Sequence, residues 1–203
     1  MAARHAAGEI AGWIFVRVFF ALWPDQATRA MIARAAEALN LPPAARLVPR
    51  QNYHLTLAFL GETPISKLAV LRRIGANLRV ATCIINFDTY DYWPHEQVVS
   101  AVTREPAVAL LKLRKKLDAA LGLCEAAWNS GRVRAPRHDS FRPHITLARK
   151  VAQAPVQQAM SSFCWCARSF GLACSDTSGS RSIYTVVDTW PLLDETSKPQ
   201  KSL

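Results

Sequence analysis

Two hydrophobic periods alternate along this chain. Ile14–Leu22 is dense in Ile, Val and Phe and predicts a strand. Pro24-Asp25 then opens a helical pattern with Met31, Ile32, Ala35 and Leu39 at helical spacing, and Leu41-Pro42-Pro43 closes it. A short strand near Arg46–Val48 and a longer one over Tyr53–Leu60 follow. Gly61-Glu62-Thr63-Pro64 reads as a turn into a second helix, Ile65 to about Leu78, with Leu68, Leu71, Ile74 and Leu78 in line. The plan then repeats less cleanly. Strands are expected at Cys83–Tyr90 and Gln97–Thr103, and a strong helix after Glu105-Pro106 carries Leu110, Leu113, Leu117 and Leu121. A basic connection, Ala126–Ser140, leads to a strand at His144–Arg149. A weak helix at Val156–Met160 and strands at Phe163–Ala173 and Ile183–Asp188 complete the pattern. Helices and strands alternate, but the strands come in runs, which argues α+β and against a doubly wound parallel sheet.

The 203 residues suit one large domain or two small lobes. We expect a tail over 1–13, a single domain over 14–192 and a second tail over 193–203. Half the residues are hydrophobic, so a core can form, and a disordered or low-complexity chain is excluded. No apolar run reaches the ~18 residues that a membrane span needs, so no membrane partner is expected. The first residues lack the cleavage site of a signal peptide. The five cysteines are odd in number, and Cys164-Trp165-Cys166 has neither zinc-knuckle nor thioredoxin spacing. These features fit reduced thiols in the cytoplasm, with no metal and no cofactor. The net charge of +10 points to anionic partners.

Candidate chemistry sits in two matched pentapeptides. Residues 54–58 read His-Leu-Thr-Leu-Ala and residues 144–148 read His-Ile-Thr-Leu-Ala. Side chains alternate along a strand, so His54 and Thr56 share one face, as do His144 and Thr146, while Leu55, Leu57, Ile145 and Leu147 point to core. Two such strands facing each other would bring two imidazoles and two hydroxyls to one cleft. One neutral imidazole can take a proton from water while the other, protonated, gives one to a leaving oxygen. The hydroxyls can hydrogen-bond phosphate oxygens. This constellation suits cleavage of a phosphodiester without a metal. The physics alone leaves open which histidine gives and which takes. His5, His95 and His138 sit in a tail, a turn and the basic connection, and read as solvated.

The paired motifs resemble the 2H phosphoesterase superfamily, and within it the bacterial and archaeal RNA 2′,3′-cyclic phosphodiesterases, the 2′-5′ RNA ligase-like proteins. The likeness runs from about Val16 to Leu192 and is strongest over Asn52–Glu62 and Phe141–Arg149. It implies a bilobal α+β fold, with two pseudo-twofold-related antiparallel-sheet lobes, outer helices and a central cleft. It implies hydrolysis of a terminal 2′,3′-cyclic phosphate to a 2′-phosphate with no metal. His54 would be the proton donor and His144 the acceptor. Thr56 and Thr146 would contact the phosphate, and Phe59 and Arg149 would line the pocket. The middle strand, Gln97–Val102, lacks the Trp often found in the family, and Gly171–Ser182 is a loose match; both bear on substrate preference.

Between Ala126 and Ser175 the cations Arg132, Arg134, Arg137, Arg142, Arg149, Lys150 and Arg168 face only Asp139, beside the second motif. Such a rim would draw an RNA end. By strict alternation Arg149 falls on the face opposite His144, and Tyr53 and Phe59 fall on the core face with Leu55, so stacking by Phe59 rests on the resemblance. The expected partners are RNA ends or nucleotide 2′,3′-cyclic phosphates, with no obligate protein partner. The alternatives are a non-catalytic RNA-binding module, or a phosphodiesterase acting on a small cyclic nucleotide or a 2′-5′ linkage. A binder has no need of two imidazoles at matched positions.

Overall fold

The computed structural model describes residues 15–125, 141–155, 159–176 and 182–193. Ten strands and three α-helices follow in the order β1 (Phe15–Leu22), α1 (Gln26–Glu37), β2 (Arg46–Leu47), β3 (Leu55–Pro64), α2 (Leu68–Asn77), β4 (Cys83–Phe87), β5 (Thr89–Trp93), β6 (Val98–Val102), α3 (Val108–Glu125), β7 (His144–Arg149), β8 (Phe163–Ala167), β9 (Ser169–Asp176) and β10 (Ile183–Pro191). The expected tails apart from Leu193, which bridges to Ala81, the basic connection 126–140 and most of the weak helix at 156–160 lie outside the described residues.

Three antiparallel sheets result. One runs β10-β9-β1-β3, a second β2-β7-β6-β5, and β4 and β8 form a ribbon. The two four-stranded sheets are the cores of two lobes related by a pseudo-twofold. In each, a buried strand (β1 or β6) leads into a helix and pairs with the strand carrying a motif (β3 or β7). The third strand of each sheet comes from the other half of the chain. β5 pairs with β6 and β9 with β1, and the ribbon between the lobes pairs Ile85 with Trp165 at its centre.

This exchange corrects two expectations. Cys83–Tyr90 and Phe163–Ala173 are not single strands. Each breaks at one residue, Asp88 or Arg168, and passes from the ribbon into a four-stranded sheet. The closing strand also runs on to Pro191.

The helices form where the apolar spacing predicts. Asp25 caps α1 by accepting from the Thr28 N–H at 2.7 Å, and the Ile32, Ala33 and Ala36 face is buried. This helix packs on β7 and β8, so a helix from the first half covers strands of the second. Leu110, Leu113, Leu117 and Leu121 of α3 are buried toward β3 and β4.

The predicted turn at Gly61-Glu62-Thr63 is instead extended: β3 continues through it to Pro64. The chain accommodates this with an irregular ladder. Val18 pairs with Gly61 and Phe19 with Phe59, so Leu60 is an extra residue, and Gly61 takes φ +69°, where a side chain would be strained.

Candidate active site

Bulges also decide which residues face the site. On β3, Ala21 pairs with Thr56 but Phe20 pairs with Ala58, so Leu57 is extra. On β7, Ser100 pairs with Thr146 but Val99 pairs with Ala148, so Leu147 is extra. Both extra residues are fully buried. Each bulge reverses the parity of everything after it. Phe59 therefore returns to the face of His54 and Thr56, and Arg149 to that of His144 and Thr146. Strict alternation placed both on the opposite faces, and the bulges overturn it. Tyr53, ahead of the first bulge, is buried as the alternation predicts. Burial follows the same sequence along 53–59 and 143–149, so the repeat extends from the motifs to their surroundings.

The carbonyls freed at the bulges are satisfied differently. The Leu57 carbonyl accepts from Arg114 Nη1 at 2.5 Å, and the Arg114 Nε–H donates to the Asp118 carboxylate at 2.7 Å. The same guanidinium lies 4.9 Å from the Phe141 ring, so Phe141 packs there beside the second motif. The Leu147 carbonyl accepts from the Val48 N–H at 2.8 Å, which ties the end of β2 to the motif strand.

Both imidazoles are held alike. His54 Nδ1 lies 2.7 Å from the Asn52 carbonyl, and His144 Nδ1 lies 2.9 Å from the Arg142 carbonyl. A carbonyl only accepts, so in each ring Nδ1 carries a proton and Nε2 is left to exchange one. Their surroundings differ. His54 is packed among the rings of Phe19, Trp23 and Tyr184, with centroids 5.2, 5.1 and 5.0 Å away. His144 meets the Trp93 ring edge-on at 4.5 Å. The Asp91 carboxylate accepts from the Trp93 indole N–H and pairs with Arg142 at 2.7 Å, bracing both neighbours of His144.

Burial pushes the His54 imidazole down to about 4; its bond to the Asn52 carbonyl opposes the fall, and the charges of His144 and Arg149 add to it. Burial likewise lowers His144, with Arg142 and Arg149 adding to it and Asp91 opposing it. His54 thus titrates within reach of the charge of His144, and both imidazoles within reach of Arg149. Between about pH 6.5 and 4 the unfolded chain binds more protons than the folded one, so stability falls as pH falls through that window. We expect thermal melts of the ligand-free protein to drop across it. The His54→Gln variant should lose part of that dependence, roughly 3 kcal/mol at most. A variant whose melting profile parallels the parent from pH 7 to 4 would contradict the assignment.

A cavity of about 580 Å3 opens beside these groups. His54 and Tyr184 line it from the first sheet, and Thr146, Arg149 and Arg46 from the second. Asn52, Lys150 and Ser182 complete its polar wall. His144, Thr56 and Phe59 lie outside that lining. Phe59 is 44% exposed, with the Arg17 guanidinium 5.4 Å from its ring centroid. Sequence reasoning missed Arg46, Asn52, Ser182, Tyr184, Trp23, Trp93 and Asp91. Only Asn52 carried a signal, since it precedes His54 as Arg142 precedes His144. Among the described residues no three His, Cys, Asp or Glu side chains gather as metal ligands would, and no helix is long and apolar enough to cross a membrane.

Residues 23–173 match the 2′-5′ RNA ligase superfamily. The chain is 30% identical over 190 residues to an RNA 2′,3′-cyclic phosphodiesterase of Thermus thermophilus, covering 91% of this chain and 94% of that one. It is 31% identical over 178 residues to an RNA 2′,3′-cyclic phosphodiesterase of Escherichia coli, covering 87% and 96%. The crystal structure of E. coli LigT complexed with 3′-AMP superimposes with a TM-score of 0.73 at 28% identity, over 88% of this chain and 98% of that one.

Proposed function

Because the chain belongs to the 2′-5′ RNA ligase superfamily, we propose that it hydrolyses an RNA terminal 2′,3′-cyclic phosphate to a 2′-phosphate, using two histidines and no metal. The observation that carries this reading is the matched tethering of His54 and His144. Each has Nδ1 against the carbonyl two residues earlier, which frees Nε2 for proton exchange. The phosphodiesterase names of the relatives, matched over most of both chains, support the reaction class.

In the proposed step His144 Nε2 takes a proton from water as the water oxygen bonds to phosphorus. The bond from phosphorus to the 3′ oxygen breaks, and His54 Nε2 delivers its proton there. Thr56 and Thr146 hydrogen-bond the non-bridging oxygens, and Arg149 offsets their charge. Phe59, on the same face, offers a ring for the terminal base. A low pKa suits His54 as donor, because it releases its proton readily once charged. The anionic substrate favours that charged form and raises both imidazoles.

The test is hydrolysis of a 2′,3′-cyclic nucleotide with excess EDTA. Turnover should persist, and the rate should be bell-shaped in pH. With both free imidazoles lowered, the kcat/KM bell should centre below pH 6.5, and the kcat bell, read on the bound state, at higher pH. A strict requirement for added divalent metal would overturn the mechanism. Tight RNA binding with no turnover would favour a non-catalytic RNA-binding module.

A further inference from the structure

The cavity carries more positive charge than one cyclic phosphate can use. Such a phosphate has a single negative charge, and the proposed step already meets it with Arg149, two hydroxyls and an imidazole. Arg46 and Lys150 line the same cavity. No Asp or Glu lines it, and among the described residues Arg46, Arg149 and Lys150 form no ion pair. Arg46 and Arg149 are directly opposed across the β2–β7 ladder, an arrangement of like charges that weakens a sheet unless an anion lies between them. Lys150 stands at φ +57°, a left-handed conformation that a long side chain rarely adopts. Opposite it, Gln97 is likewise left-handed at φ +53°, and its carbonyl accepts from the Val151 N–H at 3.0 Å. Two strained positions thus support the turn that brings Lys150 to the cavity beside Arg149, and such strain gathers where a side chain must be aimed.

We propose that Arg46 and Lys150 form a second phosphate subsite, which takes the next internucleotide phosphate of an oligoribonucleotide whose terminal cyclic phosphate sits at the histidines. This rests on the reading above and narrows its substrate class: the enzyme prefers an RNA end of two or more nucleotides to a cyclic mononucleotide. Arg46 approaches from β2, which the Leu147 bulge holds to the motif strand through Val48. The subsite and the catalytic face are therefore registered to one another by the same irregularity.

The test compares a dinucleotide ending in a 2′-phosphate with the corresponding nucleoside 2′-phosphate as ligands, and their cyclic-phosphate forms as substrates. Wild-type protein should bind the dinucleotide more tightly, with a salt dependence steeper by about 0.7 in log–log slope for the extra phosphate. The double variant Arg46→Ala/Lys150→Ala should lower the dinucleotide-to-mononucleotide affinity ratio about tenfold and remove the added slope. Single Arg46→Gln and Lys150→Gln variants with wild-type melting guard against misfolding. An affinity ratio and slope unchanged in the variants would overturn the subsite and leave the two cations as ordinary solvated surface groups. Binding reads the subsite whether or not hydrolysis occurs, and hydrolysis of the mononucleotide reads the catalytic assignment independently.

Discussion

Replacing His54 or His144 by alanine should lower kcat for a 2′,3′-cyclic phosphate by ~10²–10⁴-fold while the fold is retained. The retention follows from placement. Both imidazoles lie on the site face of their strands, and the cores behind them are built by Leu55, Leu57, Ile145 and Leu147. Each ring is tied to its scaffold by one bond to a carbonyl, which water can replace. Truncation of His54 also opens space among Phe19, Trp23 and Tyr184, so a modest loss of stability is expected there. In the proposed mechanism both histidines act in one proton-transfer step, so the double variant should be far less than multiplicatively worse. The measurement is steady-state hydrolysis beside a thermal melt of each variant. Near-parental turnover by a normally melting His54→Ala protein would refute the two-histidine mechanism.

Arg114→Met should destabilise the protein by roughly 3–5 kcal/mol, the usual cost of breaking a buried ion pair from one side. The Arg114–Asp118 pair is almost wholly removed from solvent. Methionine keeps the length and apolar volume of the side chain but gives up both functions of the guanidinium. Asp118 loses its buried counter-charge, and the Leu57 carbonyl loses the donor that satisfies it at the bulge. The second loss reaches the site. With its carbonyl unsatisfied, the bulge no longer favours the parity that turns Phe59 to the His54 face. Denaturant unfolding should show the stability change. A KM raised more than kcat is lowered would show that the face proposed to hold the terminal base has been disturbed. Exposed pairs such as Arg50–Glu37 should contribute under about 1 kcal/mol by comparison. Unfolding of Arg114→Met at the parental denaturant midpoint would show that the pair does not hold the bulge.

Residue types and periods were enough to predict the α+β class, the three helices and the buried Leu faces. Those features depend on local spacing, which a strand or helix expresses directly. Phe59 and Arg149 were misplaced because nothing in Leu-Thr-Leu-Ala says that a ladder skips a residue at its second Leu. The carbonyls at those bulges bond to partners distant in sequence, Arg114 at one and Val48 at the other. The strand breaks at Asp88 and Arg168 were hidden for the same kind of reason. Composition runs on unchanged across each, and only pairing with the opposite half moves the next residues into another sheet. The cavity wall from β2 and β10 has no motif at all, and its residues meet only in the folded chain.

The exchange of strands between halves also orders events during synthesis. β1 lies between β3 and β9, so the first lobe's sheet cannot be completed until residues 169–176 have left the ribosome. Until then β1 offers an open edge rich in Val and Phe. Contacts this distant in sequence close slowly, and an unpaired apolar edge invites intermolecular pairing. The half-made chain is thus the vulnerable species. A release of the nascent protein after β7 would yield one lobe lacking β9 and β10, with no third strand to cover β1, and such truncated products should aggregate rather than persist as a folded half.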